Sequence, residues 1–147
     1  MSDTSAATTQ LHATCVALDA QCGLLILGAS GAGKSALALS LMAFGAHLVS
    51  DDRTDLHRDP AHMAVTARAP ASISGLIEAR GLGLLAAPPL RAATIKGVVD
   101  LDQMETDRLP PLRKTYLIGV ELPLFHRVDA PHFAPALFQW LKGGRSA

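Results

Sequence analysis

The segment that most constrains this fold is the octapeptide Gly-Ala-Ser-Gly-Ala-Gly-Lys-Ser at residues 28–35. It follows a short apolar run at residues 24–27 and precedes a stretch of Ala, Leu and Ser without a helix breaker. A glycine-rich loop between a strand and a helix lets backbone N–H groups face phosphate oxygens, and the helix adds the positive end of its dipole. The sequence therefore predicts a P-loop in an α/β domain.

Each residue type in this loop has a physical role. Lys34 can reach the β and γ phosphates, Ser35 can offer its hydroxyl to Mg²⁺, and the small residues let phosphate approach the backbone. The predicted nucleotide-binding residues are Gly28, Ala29, Ser30, Gly31, Ala32, Gly33, Lys34 and Ser35. The alternative, a glycine-rich turn that binds nothing, requires an accidental match that is rare at this composition. The motif predicts a nucleoside triphosphate with magnesium, but it does not distinguish a kinase from an NTPase.

Charge and hydropathy argue against several classes of partner. Thirteen basic and thirteen acidic residues give zero formal charge, so the chain lacks the broad positive field that nucleic acids and anionic membranes attract. No apolar run approaches the roughly 20 residues of a membrane helix, and the N-terminal residues lack the features of a signal peptide. We expect a cytoplasmic protein without nucleic-acid or membrane partners.

The length of 147 residues predicts a single domain, since one hydrophobic core typically serves about 100–200 residues. Residues 1–10 are rich in Ser, Thr and Ala without periodicity, which predicts a disordered tail before a domain at residues 11–147. Cys15 and Cys22 are too few for a disulfide framework and lack a zinc-ligand spacing. We interpret both as packing residues rather than a redox pair.

Hydrophobic periodicity and turn residues predict a series of short strands and three helices. An Asp and Gly turn at residues 19–23 indicates a hairpin between the first two strands. Ser72 as N-cap and Gly81 as stop signal indicate a short helix between them. Strands are predicted at residues 12–18, 24–27, 46–49, 54–56, 63–67, 82–85, 94–101 and 116–122, and helices at residues 33–44, 73–80 and 131–141.

Two carboxylates, Asp51 and Asp52, close an apolar strand after the P-loop. In P-loop folds a carboxylate near the γ-phosphate acts as a base or a magnesium ligand. Consecutive residues of an extended strand point to opposite faces, so only one of the two should face the nucleotide unless the chain turns there. The alternative is an Asp-Asp turn that solubilises a strand end. The preceding P-loop favours the functional interpretation.

Residues 78–83 place a carboxylate, a guanidinium and two glycines close together. Glu78 could complete magnesium binding, and Arg80 could hold phosphate bidentately. From spacing alone, the simpler interpretation is a helix C-terminus with a glycine stop and an arginine facing the helix dipole. By the same reasoning His12 is an ordinary surface histidine and Arg108 an ordinary loop arginine.

Taken in chain order, these features resemble the catalytic domain of HPr kinase/phosphorylase. That family uses a P-loop to phosphorylate a serine of HPr, a carrier protein of the sugar phosphotransferase system. The resemblance covers residues 11–122, and its most specific part is Arg-Gly-Leu-Gly at residues 80–83. It runs through the strand that opens on His12, the P-loop, His47-Leu-Val-Ser-Asp-Asp52, Glu78-Ala-Arg-Gly-Leu-Gly-Leu-Leu85 and Asp107-Arg-Leu109.

The resemblance implies an α/β P-loop kinase with a mixed sheet, with ATP and Mg²⁺ as cofactors and an HPr-type phosphocarrier as partner. It also implies a homo-oligomer. By the same resemblance, Lys34 binds phosphate, whereas Ser35 and Glu78 serve magnesium.

Four further residues receive catalytic roles from the resemblance. Asp52 is the first choice for proton acceptor and Asp51 the second, since both carboxylates of the family's pair lie near the γ-phosphate. His12 supports the site, and Arg108 is a further catalytic residue. This agrees with phosphoryl-transfer chemistry, which needs a positioned carboxylate at the incoming hydroxyl and cations on the developing phosphate charge.

Several features depart from the family pattern. The chain resembles a short form without the separate N-terminal domain. Residues 122–127, Leu-Pro-Leu-Phe-His-Arg, lack the Gly-Arg-Asn element that the family associates with phosphorolysis, which predicts little or no phosphorylase activity. Ala29 and Ala36 stand where the family often has an acidic residue, so nucleotide handling should differ. The alternatives to an HPr kinase are a small-molecule P-loop kinase and an ATP-sensing interaction protein that transfers nothing.

Overall fold

A computed structural model describes residues 7–147, and its centre is a nine-stranded mixed sheet. The strands of the chain are β1 Thr8–Leu11, β2 Ala13–Ala17, β3 Gly23–Leu27, β4 His47–Ser50, β5 Thr54–Asp59, β6 Ala64–Arg68, β7 Leu76–Ala79, β8 Gly83–Ala86, β9 Ala93–Met104, β10 Arg113–Leu117 and β11 Val120–Arg127. The helices are α1 Lys34–Ala43 and α2 Phe133–Gly143, with a 3-10 turn at Ala71–Ile73. Strands β7 and β8 form a separate hairpin.

The long strand β9 organises the sheet around the predicted P-loop. On one edge β9 runs parallel to β3, and on the other it pairs with β6 near its start and with β11 near its end. The order is β1-β5-β6-β9-β3-β2-β4, with β10 outside β11. Because β3, β9 and β11 are parallel, their carboxyl ends meet at one edge, where α/β folds bind ligands. Asp100 pairs with Leu27 at that edge, next to the loop.

Two apolar clusters lie on opposite faces of this sheet. Alternate residues of a strand point to opposite faces, and Leu25 and Val98 belong to one cluster while Ile26 and Val99 belong to the other. Both helices pack on the second cluster through buried leucines such as Leu41 of α1. The face of the sheet that the helices cover therefore holds α1, the helix that follows the P-loop, in place.

The two predicted long helices are confirmed, at Lys34–Ala43 and Phe133–Gly143. The second helix is amphipathic, and its Trp140 ring lies directly over Gly97 of β9. A Cβ at position 97 would stand 2.5 Å from that ring, closer than any van der Waals contact, so the helix packs this tightly only over a glycine.

The predicted helix at residues 73–80 is wrong. Only residues 71–73 form a 3-10 turn, and residues 76–79 form β7, which pairs with β8. The reason lies in the alternation of burial: Ile77 and Ala79 are buried, whereas Glu78 and Arg80 are exposed. This period of two is the pattern of a strand with one covered face.

Two boundaries also differ from prediction. The single strand predicted at residues 116–122 is two strands, β10 and β11, joined by a turn in which Ile118 and Gly119 both have positive φ, at 40° and 80°. The predicted tail of residues 1–10 is too long, because β1 begins at Thr8 and pairs with β5. Disorder of residues 1–6 lies outside the described residues and stays a prediction.

Both cysteines are free, with Cys15 in the core and Cys22 half-buried. Burial raises the pKa of the Cys15 thiol far above its ordinary value of 9.0, so Cys15 is a packing residue, as predicted. In the part of the chain that the structure describes, no helix has the length and apolar character needed to cross a bilayer.

Candidate functional site

Residues 28–33 form a tight loop between β3 and α1. Gly31 and Gly33 have φ values of 86° and 102°, a left-handed conformation that residues with a Cβ rarely adopt. The Ala32 N–H donates to the Ala29 carbonyl at 2.9 Å and closes a turn inside the loop. The glycine spacing is thus a backbone requirement, and the loop leads directly into the N-terminus of α1.

Lys34, the first residue of α1, is almost fully buried, at 6% exposure. Its Nζ donates to the carbonyl oxygens of Gly28 at 2.8 Å and Ala29 at 3.2 Å. The ammonium group therefore bonds to the loop's own backbone. An ammonium group has three N–H donors, so one donor of Lys34 remains for a phosphate oxygen beside these two carbonyls.

The buried carboxylate of Asp51 joins four elements of the structure. Its Oδ1 accepts hydrogen bonds from Ser35 Oγ at 2.6 Å and from Thr14 Oγ1 at 3.0 Å. Its Oδ2 accepts one from the backbone N–H of Glu78 at 2.9 Å. These bonds hold Ser35, the predicted magnesium ligand, against the end of β4, and they connect α1 with β2 and β7.

Asp52 is exposed and differs sharply from its neighbour. Its φ of 66° lies in the left-handed region, where aspartate is one of the few tolerated residues and where strain often marks a functional site. Its backbone N–H donates to Thr14 Oγ1 at 3.1 Å. The chain has left the extended strand here, so both aspartates line the same cleft. The expectation that an extended strand would leave only one facing it therefore does not apply.

A cleft of about 840 Å³ lies between the P-loop, the Asp51-Asp52 turn and the β7–β8 hairpin. We call it the charged cleft. Its charged lining residues balance, three cationic against three acidic: Lys34, Arg53 and Arg80, with Asp51, Asp52 and Glu78. Cations suited to phosphate thus face carboxylates suited to a divalent cation or a proton. The structure brings together residues that the sequence had placed far apart.

Two predicted residues lie elsewhere. His12 is exposed at the bend between β1 and β2, and Arg108 is exposed in the loop between β9 and β10, and neither is among the residues lining the charged cleft. The loop of Arg108 is anchored by Glu105, which accepts bonds from Arg113 Nε at 3.0 Å and Nη2 at 2.9 Å. These bonds lower the pKa of Glu105 to about 2. The catalytic roles of His12 and Arg108 stay predictions.

Residue-by-residue reasoning missed several groups around the P-loop. Both carboxylate oxygens of Asp102, on β9, lie 3.1 Å from the Ala29 backbone N. Arg127 of β11 donates from Nη1 to the Ala32 carbonyl at 2.8 Å. A signal for Asp102 was available in the sequence: the apolar run at residues 97–99 is followed by Asp100 and Asp102. In P-loop proteins a strand near the loop often ends in such an aspartate. The hydroxyl of Thr14 had no comparable signal.

The chain matches the sequence model of the HPr serine kinase C-terminal domain over residues 3–105, well over half of its length. The chain belongs to this family. The matched range contains the P-loop, the Asp51-Asp52 pair and residues 78–85, whereas Arg108 and residues 122–127 lie beyond it.

Similar full-length proteins include the HPr kinase/phosphorylases of Chlorobium phaeobacteroides, 37% identical over 114 residues, and of Cupriavidus necator, 39% identical over 112 residues. Each alignment covers 69% of this chain but only 35% and 34% of those proteins, so the chain spans about a third of their length. The solved structure of the Hpr(Ser) kinase/phosphatase from Coxiella burnetii has a TM-score of 0.75 at 23% identity, covering 91% of this chain and 94% of that one. The predicted fold, an α/β P-loop domain with a mixed sheet, is confirmed.

Proposed function

We propose that this chain is an ATP-dependent protein kinase that phosphorylates a serine hydroxyl of an HPr-type phosphocarrier. The observation that supports it best is the 2.6 Å bond between Ser35 of the P-loop and Asp51, with Asp52 on the same turn and facing the same cleft. The turn after β4 thus holds a carboxylate pair beside the phosphate-binding loop, where an acceptor hydroxyl must arrive. Family membership supports the identity of the acceptor.

In this proposal Lys34 and Arg80 neutralise the phosphates of ATP, and Ser35 and Glu78 are the groups that would hold Mg²⁺. When bound, the ion neutralises charge that develops on the transferred phosphoryl group. The donor set fits magnesium, which takes few protein ligands and completes its shell with phosphate oxygens and water. The Ser35 hydroxyl donates a hydrogen bond to the Asp51 carboxylate, and this bond orients the hydroxyl.

We assign to Asp52 the role of accepting the proton of the phosphocarrier's serine hydroxyl. The serine oxygen of the phosphocarrier forms a bond to the γ-phosphorus, the bond from the γ-phosphorus to the β–γ bridging oxygen breaks, and ADP leaves. The proton of the serine hydroxyl passes to the Asp52 carboxylate. Asp51 is less suited, because its two oxygens already accept three hydrogen bonds, whereas Asp52 is exposed to an incoming protein.

We also propose that the chain performs little or no phosphorolysis. Residues 122–127, which lack the Gly-Arg-Asn element, belong to strand β11 and pair with β9 and β10. Arg127, the last residue of this segment, donates to a backbone carbonyl of the P-loop. The segment is therefore part of the sheet and not a free basic loop. Phospho-HPr incubated with inorganic phosphate should therefore release little or no pyrophosphate, and appreciable pyrophosphate would contradict this assignment. The proposal further places the chain in the cytoplasm, as a subunit of a homo-oligomer.

The kinase assay uses purified chain, HPr and ATP labelled at the γ-phosphate. Asp52→Asn should reduce HPr labelling by about 10²–10⁴-fold, the usual contribution of a positioned base, while ATP affinity stays within about threefold. Asp51→Asn should weaken both labelling and magnesium-dependent ATP binding, because it disturbs Ser35. Asp19→Asn is the matched control, since Asp19 lies in the turn at the opposite end of β3, and it should label HPr normally.

Other results would support the rival functions. Phosphorylation of small hydroxyl compounds without labelled HPr would indicate a small-molecule kinase. Tight ATP binding without any labelled acceptor would indicate a nucleotide sensor. Equal labelling of HPr by wild type and Asp52→Asn would refute the assignment of Asp52 as proton acceptor and leave Asp51 as the candidate.

A further inference from the structure

We propose that a second groove beside the P-loop binds the nucleoside of the triphosphate, while the charged cleft receives its phosphates. This inference rests on the nucleotide binding in the proposed function, but not on the identity of the phosphoryl acceptor. The groove has a volume of about 500 Å³ and lies between α1 and residues 127–134. We call it the nucleoside groove.

The nucleoside groove and the charged cleft meet at the start of α1. Gly33 and Ala36 line both of them, so the first turn of the helix forms their common wall. A triphosphate bound at the P-loop backbone can therefore extend over Ala36 from one cavity into the other. On the groove side the helix contributes Leu37 and Ser40, which lie on one helix face, one turn and two turns beyond Gly33.

The two cavities differ in the chemistry of their linings. The charged cleft has six ionisable side chains, whereas the nucleoside groove has two, Arg127 and Asp129. Its other lining residues are mainly apolar, among them Leu37, Leu101 and the aromatic residue Phe133. A nucleotide has the same division, because a polyanion is joined to a planar aromatic base. Bases bind well where an apolar slot offers an aromatic ring for stacking. This match determines which end of the ligand each cavity takes.

The polar groups of the groove lie where a ribose would pass. Arg127 donates from Nε to Asp129 Oδ1 at 2.7 Å and from Nη1 to the Ala32 carbonyl at 2.8 Å. One guanidinium thus fixes the groove wall against the P-loop. The exposed carboxylate of Asp129 at the rim is the kind of acceptor that binds ribose hydroxyl groups.

The test compares two probes by calorimetry, Mg²⁺-ATP and Mg²⁺-tripolyphosphate, because only ATP carries a nucleoside. Ser40→Trp places an indole in the groove and should weaken ATP about tenfold or more, since it fills the space of the base. Phe133→Leu removes the stacking surface and should weaken ATP by about threefold to tenfold. Both variants should bind tripolyphosphate like the wild type. The control is Ala43→Trp, an exposed residue of α1 outside both cavities, which should change neither probe.

Photolabelling with 8-azido-ATP gives a second readout on the unaltered chain. After trypsin, label should appear in the peptide of residues 128–142, and tripolyphosphate should compete for it. Label confined to residues 81–91 of the β7–β8 hairpin would overturn the proposal, as would variants that weaken both probes equally or leave ATP binding unchanged. A wild-type chain that binds neither probe would refute nucleotide binding itself. ATP binding at the groove without HPr labelling would refute only the kinase function.

Discussion

The carboxylate of Asp51 supports more elements than any other side chain of the charged cleft, so its removal should be measurable as a loss of stability. Asp51→Ala leaves the Thr14 hydroxyl, the Ser35 hydroxyl and the Glu78 N–H without their acceptor. Thr14 is fully buried, and a buried donor without a partner costs about 1–3 kcal/mol. The other two donors lie near solvent and lose about 0.5–1.5 kcal/mol each.

Together these losses should lower the free energy of unfolding by about 2–6 kcal/mol, and the melting temperature by roughly 10 °C for a chain of this size. The assay is urea unfolding followed by far-UV circular dichroism. Asp19→Ala, a change at an exposed turn aspartate, should cost less than about 1 kcal/mol.

A double-mutant cycle tests the cause. Thr14→Val should be less destabilising beside Asp51→Ala than in the wild type, because there the hydroxyl already lacks its acceptor and only the bond from the Asp52 N–H remains to be lost. The expected coupling between Thr14 and Asp51 is at least about 1 kcal/mol. If the two changes are additive within about 0.5 kcal/mol, the network does not stabilise the fold as argued.

Three further predictions concern stability and reactivity. Gly97→Ala should lower the free energy of unfolding by about 1–3 kcal/mol, measured by urea unfolding, because its Cβ would lie 2.5 Å and 2.7 Å from atoms of the Trp140 ring; an unchanged midpoint would contradict the packing. Arg113 lowers the pKa of Glu105 from 4.5 to about 2. The ionised Glu105 therefore stabilises the folded state above pH 4.5, and this contribution is lost as the pH falls through about 2. Unfolding measured across that range should show a weaker acid dependence in Arg113→Met, and an unchanged profile would refute the pairing. Cys15 should resist a thiol reagent until urea is added, so fast native labelling of both thiols would contradict its burial.

The parts of the fold that could be predicted depend on contacts between residues close in the sequence. The hairpin of β2 and β3 follows from the turn between them, and α1 follows from a run of helix-favouring residues after the glycines. The misassigned segment at residues 73–80 failed for the opposite reason. Its apparent helix signals are local, but its covered face depends on β8 and on the helix α1 against which it lies.

The site shows the same division. The position of the P-loop between β3 and α1 could be predicted, because every residue of its motif is contiguous. The bond from the Ala29 N–H to Asp102 spans 73 positions, and the bond from Arg127 to Ala32 spans 95. No local pattern encodes such a pairing, since it depends on which strands become neighbours in the sheet. The roles of Asp51 and Glu78 were accordingly predicted from their positions in the sequence after the P-loop and from the family resemblance, not from their contacts.

The position of β9 beside β3 also affects when this loop can form during synthesis. A ribosome makes residues 23–35 long before residues 93–104, so the nascent P-loop has β2 as a neighbour but lacks the parallel strand on its other side. Closing so long a connection is slow compared with forming a local hairpin. A chain stalled before residue 93 should therefore contain the whole nucleotide motif and still fail to bind nucleotide, because the emerging motif becomes a functional loop only after synthesis has passed β9.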